Sequence, residues 1–442
     1  MATAEFVPLD RLERRLPDLK PLYTEAEAQA EANRCLYCQD APCIAACPTG
    51  IDVPTFIRKI ATGNVRGSAR AILSANLLGY SCARVCPVEV LCAGACVYNA
   101  WHRPPIQIGR LQRYAVETTF ESGQAATLFT RAPATGRRVA CVGAGPASLA
   151  AAGYLALEGV EVTLFEKRAI AGGLNATGVA PYKMHVDGAV REVEYLRSLG
   201  VTIRERHEVG RDLQAAQLLS DFDAVFLGIG LGGDTRLGIP GEDGPGVIGA
   251  TAWIERLKLE SGLDAAAWRR AVVVGGGNTA IDAARELARL KVPQVVLAYR
   301  RTTAEMPGYA HELEAARKEG VQLWERAVPK EFVRAGGALA ALRFQDGREA
   351  ACDLAVLAIG QAKLREVAQA FAGVTLDDKG RITIDRATGR TGNPRVWAGG
   401  DATSGGQEVV NAAQEGKRAA RSMLAALGVP VRAEAPVRAG AD

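Results

Sequence analysis

The chain has 442 residues, a length that allows roughly three domains. Its 48% hydrophobic and 23% charged residues are typical of a globular protein, and its net charge of +4 gives no indication of a nucleic-acid partner. The sequence contains no apolar run of about 18 residues and no apolar core near its N-terminus, so we expect no membrane span and a cytoplasmic protein with reduced thiols.

Cysteines dominate the N-terminal region, where eight of the ten lie in two groups. The groups are Cys35, Cys38, Cys43 and Cys47, and Cys82, Cys86, Cys92 and Cys96. Structural disulfides are uncommon in a large protein that is not exported. Zinc usually needs two short Cys-x2-Cys pairs, and only one is present here. A Cys-x2-Cys pair followed by a Cys-Pro favours [4Fe-4S] clusters, with zinc as the alternative.

A first dinucleotide-binding pattern begins after residue 137. A predicted strand at 139–142 leads into Gly143-Ala144-Gly145, and a helix starts over 146–148. This arrangement places free N–H groups and the helix dipole opposite a pyrophosphate. The next strand ends at Glu166, whose carboxylate can accept hydrogen bonds from a ribose. The glycine pair in "AGGLN" (171–175) would let the backbone pass close to the same nucleotide.

A second copy of the pattern follows at 271–274, with Gly275-Gly276-Gly277 as its turn. Its second strand ends in Tyr299-Arg300-Arg301 instead of an acidic residue. An arginine at this point favours the 2′-phosphate of NADP, although two solvated surface charges are the alternative interpretation.

A third glycine-rich turn, Gly399-Gly400-Asp401, follows a short predicted strand at 395–398, and a helix is expected from about residue 408. We therefore expect the first nucleotide domain to be interrupted by the second, with Asp401 near the ribityl or pyrophosphate part of FAD.

The predicted fold class is α/β, with two Rossmann-like domains for FAD and NAD(P)H after an α-helical domain that carries two iron–sulfur clusters. The predicted boundaries are 1–135 for the helical iron–sulfur domain, 136–245 and 361–442 for the two parts of the FAD domain (the second with the C-terminal tail), and 246–360 for the NAD(P)H domain.

Two tandem nucleotide motifs and a terminal "GGD" resemble the flavoproteins that pair FAD with NAD(P)H. The N-terminal motifs "CLYCQDAPCIAACPTGID" and "CARVCPVEVLCAGAC", with "GRLQRY", "GGGNTAID" and "AYRRTTAEMPG", narrow the resemblance to dihydropyrimidine dehydrogenase. It covers the chain nearly end to end. The small subunit of glutamate synthase is also similar.

The resemblance implies which residues bind the cofactors. One [4Fe-4S] cluster would be held by Cys35, Cys38, Cys43 and Cys96, and the other by Cys47, Cys86, Cys92 and the side-chain oxygen of Gln112. Cys82 would be a spare, buried cysteine. The implied FAD residues are Gly143, Gly145, Pro146, Ala147, Ser148, Glu166, Lys167, Gly172, Gly173, Leu174, Lys183, Gly400 and Asp401. The implied NAD(P)H residues are Gly275, Gly276, Gly277, Asn278, Thr279, Arg300, Arg301, Ala358, Ile359 and Gly360.

The resemblance also implies a function. NAD(P)H would reduce FAD, and electrons would pass through the two clusters to an FMN- and iron–sulfur-containing catalytic subunit that reduces uracil or thymine, in a heterotetramer. No catalytic side chain is expected, since the cofactors carry the redox chemistry. Gln112 favours this branch over glutamate synthase. Pro307 stands where the animal enzyme has a further arginine and the bacterial subunits are NADH-linked, which leaves the choice between NADH and NADPH open. The alternative from another class is a zinc-binding interaction module with degenerate nucleotide folds.

Overall fold

A computed structural model describes residues 7–432. They divide into two compact units, each built from separate stretches of the chain. The first unit contains 7–19, 176–186 and 232–362, and the second contains 20–175, 187–231 and 363–432. No helix among residues 7–432 is both long enough and apolar enough to cross a membrane.

Helices occur along the whole described chain, and those before residue 137 are not accompanied by strands. The α-helices are α1 (Glu25–Asn33), α2 (Pro42–Ala45), α3 (Val53–Ala61), α4 (Val65–Ala75), α5 (Gly79–Val85), α6 (Ile108–Glu121), α7 (Pro146–Leu157), α8 (Leu174–Thr177), α9 (Val186–Ser198), α10 (Ala215–Asp221), α11 (Ala250–Leu259), α12 (Asn278–Arg289), α13 (Ala310–Lys318), α14 (Arg365–Gln369), α15 (Asp401–Ser404) and α16 (Val409–Ala426). Short 3-10 turns lie at Leu12–Arg15, Val88–Val90, Val97–Trp101, Ala125–Thr127, Ala265–Ala267 and Thr303–Glu305.

The strands begin only after residue 137. They are β1 (Arg138–Val142), β2 (Glu161–Glu166), β3 (Val201–Glu205), β4 (Ala224–Leu227), β5 (Val247–Gly249), β6 (Arg270–Val274), β7 (Gln294–Ala298), β8 (Gln322–Trp324), β9 (Pro329–Ala335), β10 (Ala338–Phe344), β11 (Glu349–Ala351), β12 (Leu354–Leu357) and β13 (Val396–Ala398). The segment before them is therefore helical, as the sequence predicts.

The second unit contains a parallel five-stranded sheet in the order β13-β4-β1-β2-β3. Its central strand β1 is an almost continuous apolar run, as expected for a strand covered on both faces. The edge strand β13 comes from the far end of the chain and pairs with β4. The α16 helix then packs against α7 so closely that a Cβ at Gly416 would lie 2.1 Å from the carbonyl oxygen of Ala147. The first nucleotide fold is thus completed by C-terminal residues.

The first unit contains a second parallel sheet, in the order β5-β12-β6-β7-β8, and a three-stranded antiparallel sheet, β11-β10-β9. Its core joins the apolar face of α12 to the strands, with Ile281, Leu287, Val273 and Leu297 fully buried. Both sheets of the nucleotide folds place a glycine turn and a helix after their central strand, β1 or β6. The ligand-binding edge of such a sheet is the carboxyl end of its strands, where these turns lie.

Candidate cofactor sites

The thiols predicted for the first cluster, Cys35, Cys38, Cys43 and Cys96, come from separate segments of the second unit. Cys35 follows α1, Cys43 lies on α2, and Cys96 precedes the 3-10 turn at Val97–Trp101. Burial raises the pKa of the Cys43 thiol to about 12, and the neighbouring thiols of Cys35, Cys96 and Cys38 add to the rise. Burial likewise raises the pKa of Cys35, with Cys38 and Cys96 contributing. Four thiols separated by up to 61 positions are therefore neighbours in space.

The thiols predicted for the second cluster, Cys47, Cys86 and Cys92, centre on Cys86, which directly follows helix α5. A hydrogen bond with the Cys82 thiol, together with burial and the nearby thiols of Cys92 and Cys47, raises the pKa of Cys86. Burial raises the pKa of Cys92 to about 12, and Cys47 is the thiol that contributes most to it. This group thus contains three predicted ligands, and Cys82 lies beside them.

Gln112, the fourth predicted ligand of the second group, is buried on helix α6. Its Nε2 donates a hydrogen bond of 2.9 Å to the carbonyl oxygen of Gly79, the first residue of α5. Because this bond uses the amide nitrogen, the side-chain oxygen is left for another partner. The geometry is compatible with an oxygen ligand, and the assignment of Gln112 stays a prediction.

The donor chemistry of both groups fits iron–sulfur clusters. All ten cysteines are free thiols in the part of the chain that the structure describes. Within the same residues, no three Cys, His, Asp or Glu side chains are arranged around a point that could hold one metal ion. A [4Fe-4S] cube binds each thiolate to a different iron, so its ligands stand further apart than those around a single ion.

Replacement of Gln112 tests its predicted role as a ligand. In Gln112→Leu, bulk is kept but the oxygen is removed, so we expect about half of the iron to be lost with FAD retained. In the matched variant Gln112→Glu, an oxygen ligand remains while the hydrogen bond to Gly79 is lost, and we expect the iron to be retained. Iron analysis and EPR of the reduced protein measure both. Equal iron in wild type and Gln112→Leu would show that Gln112 binds no cluster.

The first nucleotide turn has the close contacts that its glycines predict. Gly143 has φ +85°, and a Cβ there would lie 2.6 Å from the carbonyl oxygen of Gly228. Gly145 directly precedes α7, and no side chain caps this end of the helix. A Cβ on Gly145 would have only one atom within 4 Å, the Cα of Gly173 at 3.8 Å. Space therefore remains in front of uncapped N–H groups, which is where a pyrophosphate binds. Ala147 and Ser148 lie buried in the first turn of this helix.

Glu166 ends strand β2 beside this turn. Its carboxylate accepts hydrogen bonds from the N–H groups of Ala144 (2.8 Å) and Arg168 (2.9 Å). The Gly172 N–H donates to the carbonyl oxygen of Ala144 at 2.9 Å, and a Cβ on Gly173 would lie 2.6 Å from the Cα of Gly145. The acid and the glycine pair therefore adjoin the first turn, while Lys167 is exposed and Leu174 is half-buried.

The C-terminal glycine turn lies at the same place. Gly400 has φ +73°, and a Cβ on it would lie 3.0 Å from the Cβ of Ala147. Its N–H donates to Glu415 at 2.6 Å. Asp401 accepts a hydrogen bond from the N–H of Gln407 at 3.0 Å, and burial raises its pKa. The structure thus brings Gly400 and Asp401 to the start of α7, beside the first nucleotide turn at Gly143-Ala144-Gly145.

The second nucleotide turn, in the first unit, has the same organisation. A Cβ on Gly275 would lie 2.4 Å from the carbonyl oxygen of Ala358, and one on Gly276 would lie 2.4 Å from the Tyr299 ring. Gly277, which precedes α12, has no atom within 4 Å of such a Cβ. The first two glycines of this turn are closely packed against Ala358 and Tyr299, whereas the third faces open space in which a pyrophosphate could bind.

The other predicted residues of this site surround the turn. Asn278 starts α12 and accepts a hydrogen bond from the N–H of Tyr309 at 2.9 Å, while Thr279 is exposed. Ala358, Ile359 and Gly360 follow strand β12, which pairs with β6. Gly360 has φ +113°, and its carbonyl oxygen accepts from the N–H of Thr235 at 2.9 Å.

Comparison with known proteins agrees with this arrangement. Residues 13–124 match the family model described as dihydropyrimidine dehydrogenase domain II, 4Fe-4S cluster, and residues 137–416 match that of the pyridine nucleotide-disulphide oxidoreductases. The chain belongs to the pyridine nucleotide-disulphide oxidoreductase family. Membership confirms the resemblance and the fold class inferred from the motifs, and it identifies an oxidoreductase with FAD, NAD(P)H and [4Fe-4S] cofactors.

Two curated relatives from Escherichia coli span nearly the whole chain. The glutamate synthase [NADPH] small chain is 32% identical over 95% of this chain and 98% of its own length. The NAD-dependent dihydropyrimidine dehydrogenase subunit PreT is 35% identical over 92% of this chain and 96% of its own. Among solved structures, thioredoxin reductase of T. acidophilum superposes with a TM-score of 0.54 at 23% identity, covering 65% of this chain and 98% of its own, which shows a shared fold.

In dinucleotide-binding folds, the residues after the second strand lie near the ribose and can distinguish NADH from NADPH. Arg300 and Arg301 follow β7 and are exposed, and Tyr299, just before them, donates from its hydroxyl to the carbonyl oxygen of Glu305 at 2.9 Å. This bond ties the arginine loop to the segment that ends at Pro307. Both arginines follow the carboxyl end of β7, which is the edge of the sheet that carries the glycine turn, and their binding to a 2′-phosphate stays a prediction.

Replacement of Arg300 separates the two interpretations of this loop. If Arg300 binds a 2′-phosphate, Arg300→Ala should weaken NADPH binding by about 1–3 kcal/mol, which is the contribution of a charge-assisted hydrogen bond, and leave NADH nearly unchanged. Steady-state reduction of ferricyanide with each nucleotide measures the effect. Arg343→Ala, which removes an arginine from β10 of the antiparallel sheet in the same unit, is the control. Equal losses for NADH and NADPH would show that Arg300 acts on the pyrophosphate or on the fold.

Lys183, predicted to contact FAD, belongs to the unit of the second nucleotide fold. Its Nζ forms ion pairs with Asp282 (2.8 Å) and Glu312 (3.0 Å). Burial alone would lower the pKa of Lys183, but these two carboxylates outweigh that effect and raise it. The lysine is thereby held by the helices α12 and α13, and a role toward FAD stays a prediction.

One buried network was not predicted from the sequence. Glu192 on α9 accepts hydrogen bonds from the N–H groups of Tyr80 (3.1 Å) and Ser81 (3.0 Å) and from the Ser81 hydroxyl. Burial raises its pKa to about 7. Asn175, next to the predicted FAD residue Leu174, donates to the Ser81 hydroxyl at 2.9 Å. This network joins the loop at 171–175, predicted to contact FAD, to α5, the helix that leads to Cys86. A single acidic residue in an amphipathic helix gives no signal of such a role.

Proposed function

We propose that this chain is the electron-input subunit of a dihydropyrimidine dehydrogenase, and that its partner is an FMN- and iron–sulfur-containing chain that reduces uracil or thymine. The observation that supports the proposal is the set of side chains that would form the second cluster site. Cys47, Cys86 and Cys92 are neighbours, and Gln112 is held by Gly79 with its oxygen available. A site of three thiolates and one amide oxygen is what the resemblance to dihydropyrimidine dehydrogenase implies.

The residues of the chain serve mainly to position the cofactors. The start of α12 with Gly277 would hold the pyrophosphate of NAD(P)H, and the start of α7 with Gly145 would hold that of FAD. When bound, the nicotinamide supplies a hydride, the flavin converts it to single electrons, and the clusters conduct them. The chain's part is to hold the half-buried thiols together and to fix the distances between the sites.

Contacts within the second unit support an order of the two thiol groups. Asn175 beside the FAD loop bonds to Ser81, which precedes Cys82 on the helix that ends at Cys86. The group of Cys86 would therefore be the nearer one to the flavin. The group of Cys35 and Cys96 lies beside Leu36 and Trp101, whose side chains are among the exposed large apolar residues of the described chain. That group would pass electrons to the partner.

A second candidate is the small subunit of a glutamate synthase, because a relative of that name is 32% identical over 95% of the chain. The mechanism inside this chain would be the same, and only the partner would differ. A large amidotransferase chain would take the place of the FMN-bearing one.

Reconstitution tests the proposal. The purified chain should oxidise NAD(P)H with ferricyanide but should not consume NAD(P)H when uracil or thymine is the sole acceptor. Addition of an FMN- and iron–sulfur-containing dihydropyrimidine dehydrogenase subunit should start uracil reduction. Activity restored only by a glutamate synthase large subunit would support the second candidate, and uracil reduction by the isolated chain would refute electron input as its role.

A further inference from the structure

An arginine in the left-handed backbone conformation follows the third strand of each nucleotide fold. Arg206 directly follows β3 and has φ +61°, and Arg326 lies two residues after β8 and has φ +52°. Both residues are exposed. Glycine adopts this conformation without steric cost, whereas a residue with a long side chain rarely does. The same unfavourable choice in both folds indicates that the guanidinium group itself is needed there.

In the first nucleotide fold, two hydrogen bonds hold Arg206 beside the end of the second strand, β2. The Arg206 N–H donates to the carbonyl oxygen of Arg168 at 3.0 Å, and the His207 N–H donates to that of Glu166 at 2.9 Å. Glu166 is the residue predicted to face the ribose of FAD. Since the pyrophosphate is expected at the turn after β1, a dinucleotide that passes Glu166 carries its adenine on toward the end of β3, where Arg206 lies.

The second nucleotide fold repeats this pattern at the same offsets. The Arg326 N–H donates to the carbonyl oxygen of Arg301 at 2.9 Å, and the Ala327 N–H donates to that of Tyr299 at 2.9 Å. The two folds differ at the residue expected to face the ribose, which is acidic in the first and Tyr299 in the second. FAD and NAD(P)H share an adenosine diphosphate part. Its pyrophosphate is assigned to the glycine turns and its ribose to the end of the second strand, so the adenine is the shared part that remains.

We propose that Arg206 and Arg326 bind the adenine rings of FAD and of NAD(P)H, respectively, each by stacking its guanidinium group on the face of the ring. A guanidinium group is planar and always charged, and it stacks on nucleobases. A 2′-phosphate site would account for Arg326 but not for Arg206, because FAD has no 2′-phosphate. This inference rests on the proposed function only in assigning FAD to the first fold and NAD(P)H to the second.

Nucleotides with and without adenosine test Arg326 in the intact, FAD-loaded chain. Arg326→Gly removes the guanidinium group and relieves the backbone, so its Tm should be unchanged or higher. Calorimetric titration should show NAD⁺ and NADP⁺ both bound about 3- to 30-fold more weakly, the range for a cation stacked on an aromatic ring. Reduction of ferricyanide by reduced nicotinamide mononucleotide, which has no adenosine, should keep the wild-type kcat/KM.

The matched control for this variant is Lys291→Gly. Lys291 is another exposed cation with φ +66°, but it lies between α12 and β7, at the opposite edge of the same sheet. Its replacement relieves the same backbone conformation and removes the same charge. NAD⁺ and NADP⁺ should therefore bind to Lys291→Gly as they bind to the wild type.

Arg206→Gly is the parallel test in the first fold. The dissociation constant of FAD, measured from the fluorescence of flavin released on dilution, should rise by about 3- to 30-fold. The flavin-free chain that retains its clusters should bind FMN, which has no adenosine, as tightly as the wild type does. FAD binding should be unchanged in Arg326→Gly, and NAD⁺ binding should be unchanged in Arg206→Gly reloaded with FAD.

The other outcomes overturn the proposal. Weaker binding of NADP⁺ alone would show that Arg326 binds the 2′-phosphate. Unchanged binding in either glycine variant would show an exposed arginine without a ligand, and equal losses for mononucleotides and dinucleotides would show a structural role. If a glycine variant is insoluble, Arg206→Asn or Arg326→Asn replaces it, since asparagine also tolerates this backbone conformation. These measurements involve no partner chain and no pyrimidine, so failure of the proposed function would appear only in the reconstitution with uracil.

Discussion

Gly145→Val should yield a protein without FAD, whereas Gly277→Val should keep FAD and lose its use of NAD(P)H. Both glycines precede a helix with extended backbone angles, φ −83° and φ −86°, that valine adopts readily. A Cβ on Gly145 would meet only one atom at 3.8 Å, and one on Gly277 would meet none within 4 Å. The substitutions should therefore leave the fold intact and obstruct only the pyrophosphate.

The size of the effect follows from the hydrogen bonds that would be lost. Two backbone N–H bonds to a charged phosphate contribute about 1.5–3 kcal/mol each, so binding should weaken by about a hundredfold or more. Flavin absorbance of the purified proteins reports on the first site, and titration with NADH and NADPH reports on the second. Each variant is the control for the other. Loss of FAD from Gly277→Val, or its retention at full occupancy in Gly145→Val, would contradict the assignment of the two folds.

These two turns were predictable from the sequence because their determinants are local. Each strand, glycine turn and helix occupies 20 consecutive residues, Arg138–Leu157 and Arg270–Arg289, so the whole pattern lies within one short window of sequence. The atoms that crowd Gly143 and Gly275 come from later in the chain, from Gly228 and Ala358. The strands predicted at 139–142 and 271–274 are β1 and β6, each of which begins one residue earlier than predicted. The fold class, which depends on these elements, is confirmed by the family models and the sheet order.

The grouping of the cysteines was not predictable from spacing alone. Cys96 joins Cys35, Cys38 and Cys43 although 52 residues separate it from the last of them, because the helices α3 to α5 fold between the two stretches. Only the resemblance supplied that division, and the neighbouring thiols in the structure are consistent with it. Gln112 had no local signal, since a buried glutamine in an amphipathic helix has the same pattern as any other polar residue.

Cys43→Ser should separate hydride transfer from onward electron transfer. Cys43 is surrounded by the thiols of Cys35, Cys96 and Cys38, and serine is a much poorer ligand for iron than a thiolate. We therefore expect about half of the iron to be lost. The FAD fold contains none of these residues, so NAD(P)H should still bleach the flavin at the wild-type rate. Uracil reduction with the FMN-bearing partner should fall to background, since the cluster nearer the partner would be missing.

The measurements are anaerobic stopped-flow reduction of the flavin, iron analysis, and the reconstituted assay with uracil. Cys352→Ala is the matched control, because it removes a buried cysteine from the other unit and should leave all three unchanged. If Cys43→Ser loses half of its iron but still supports uracil reduction at the wild-type rate, the cluster of Cys35 and Cys96 does not lie on the electron path. If flavin reduction is lost together with the iron, the helical segment is needed for the FAD site itself. The combination of intact flavin reduction and absent uracil reduction is the one result that requires electrons to leave the flavin through this cluster.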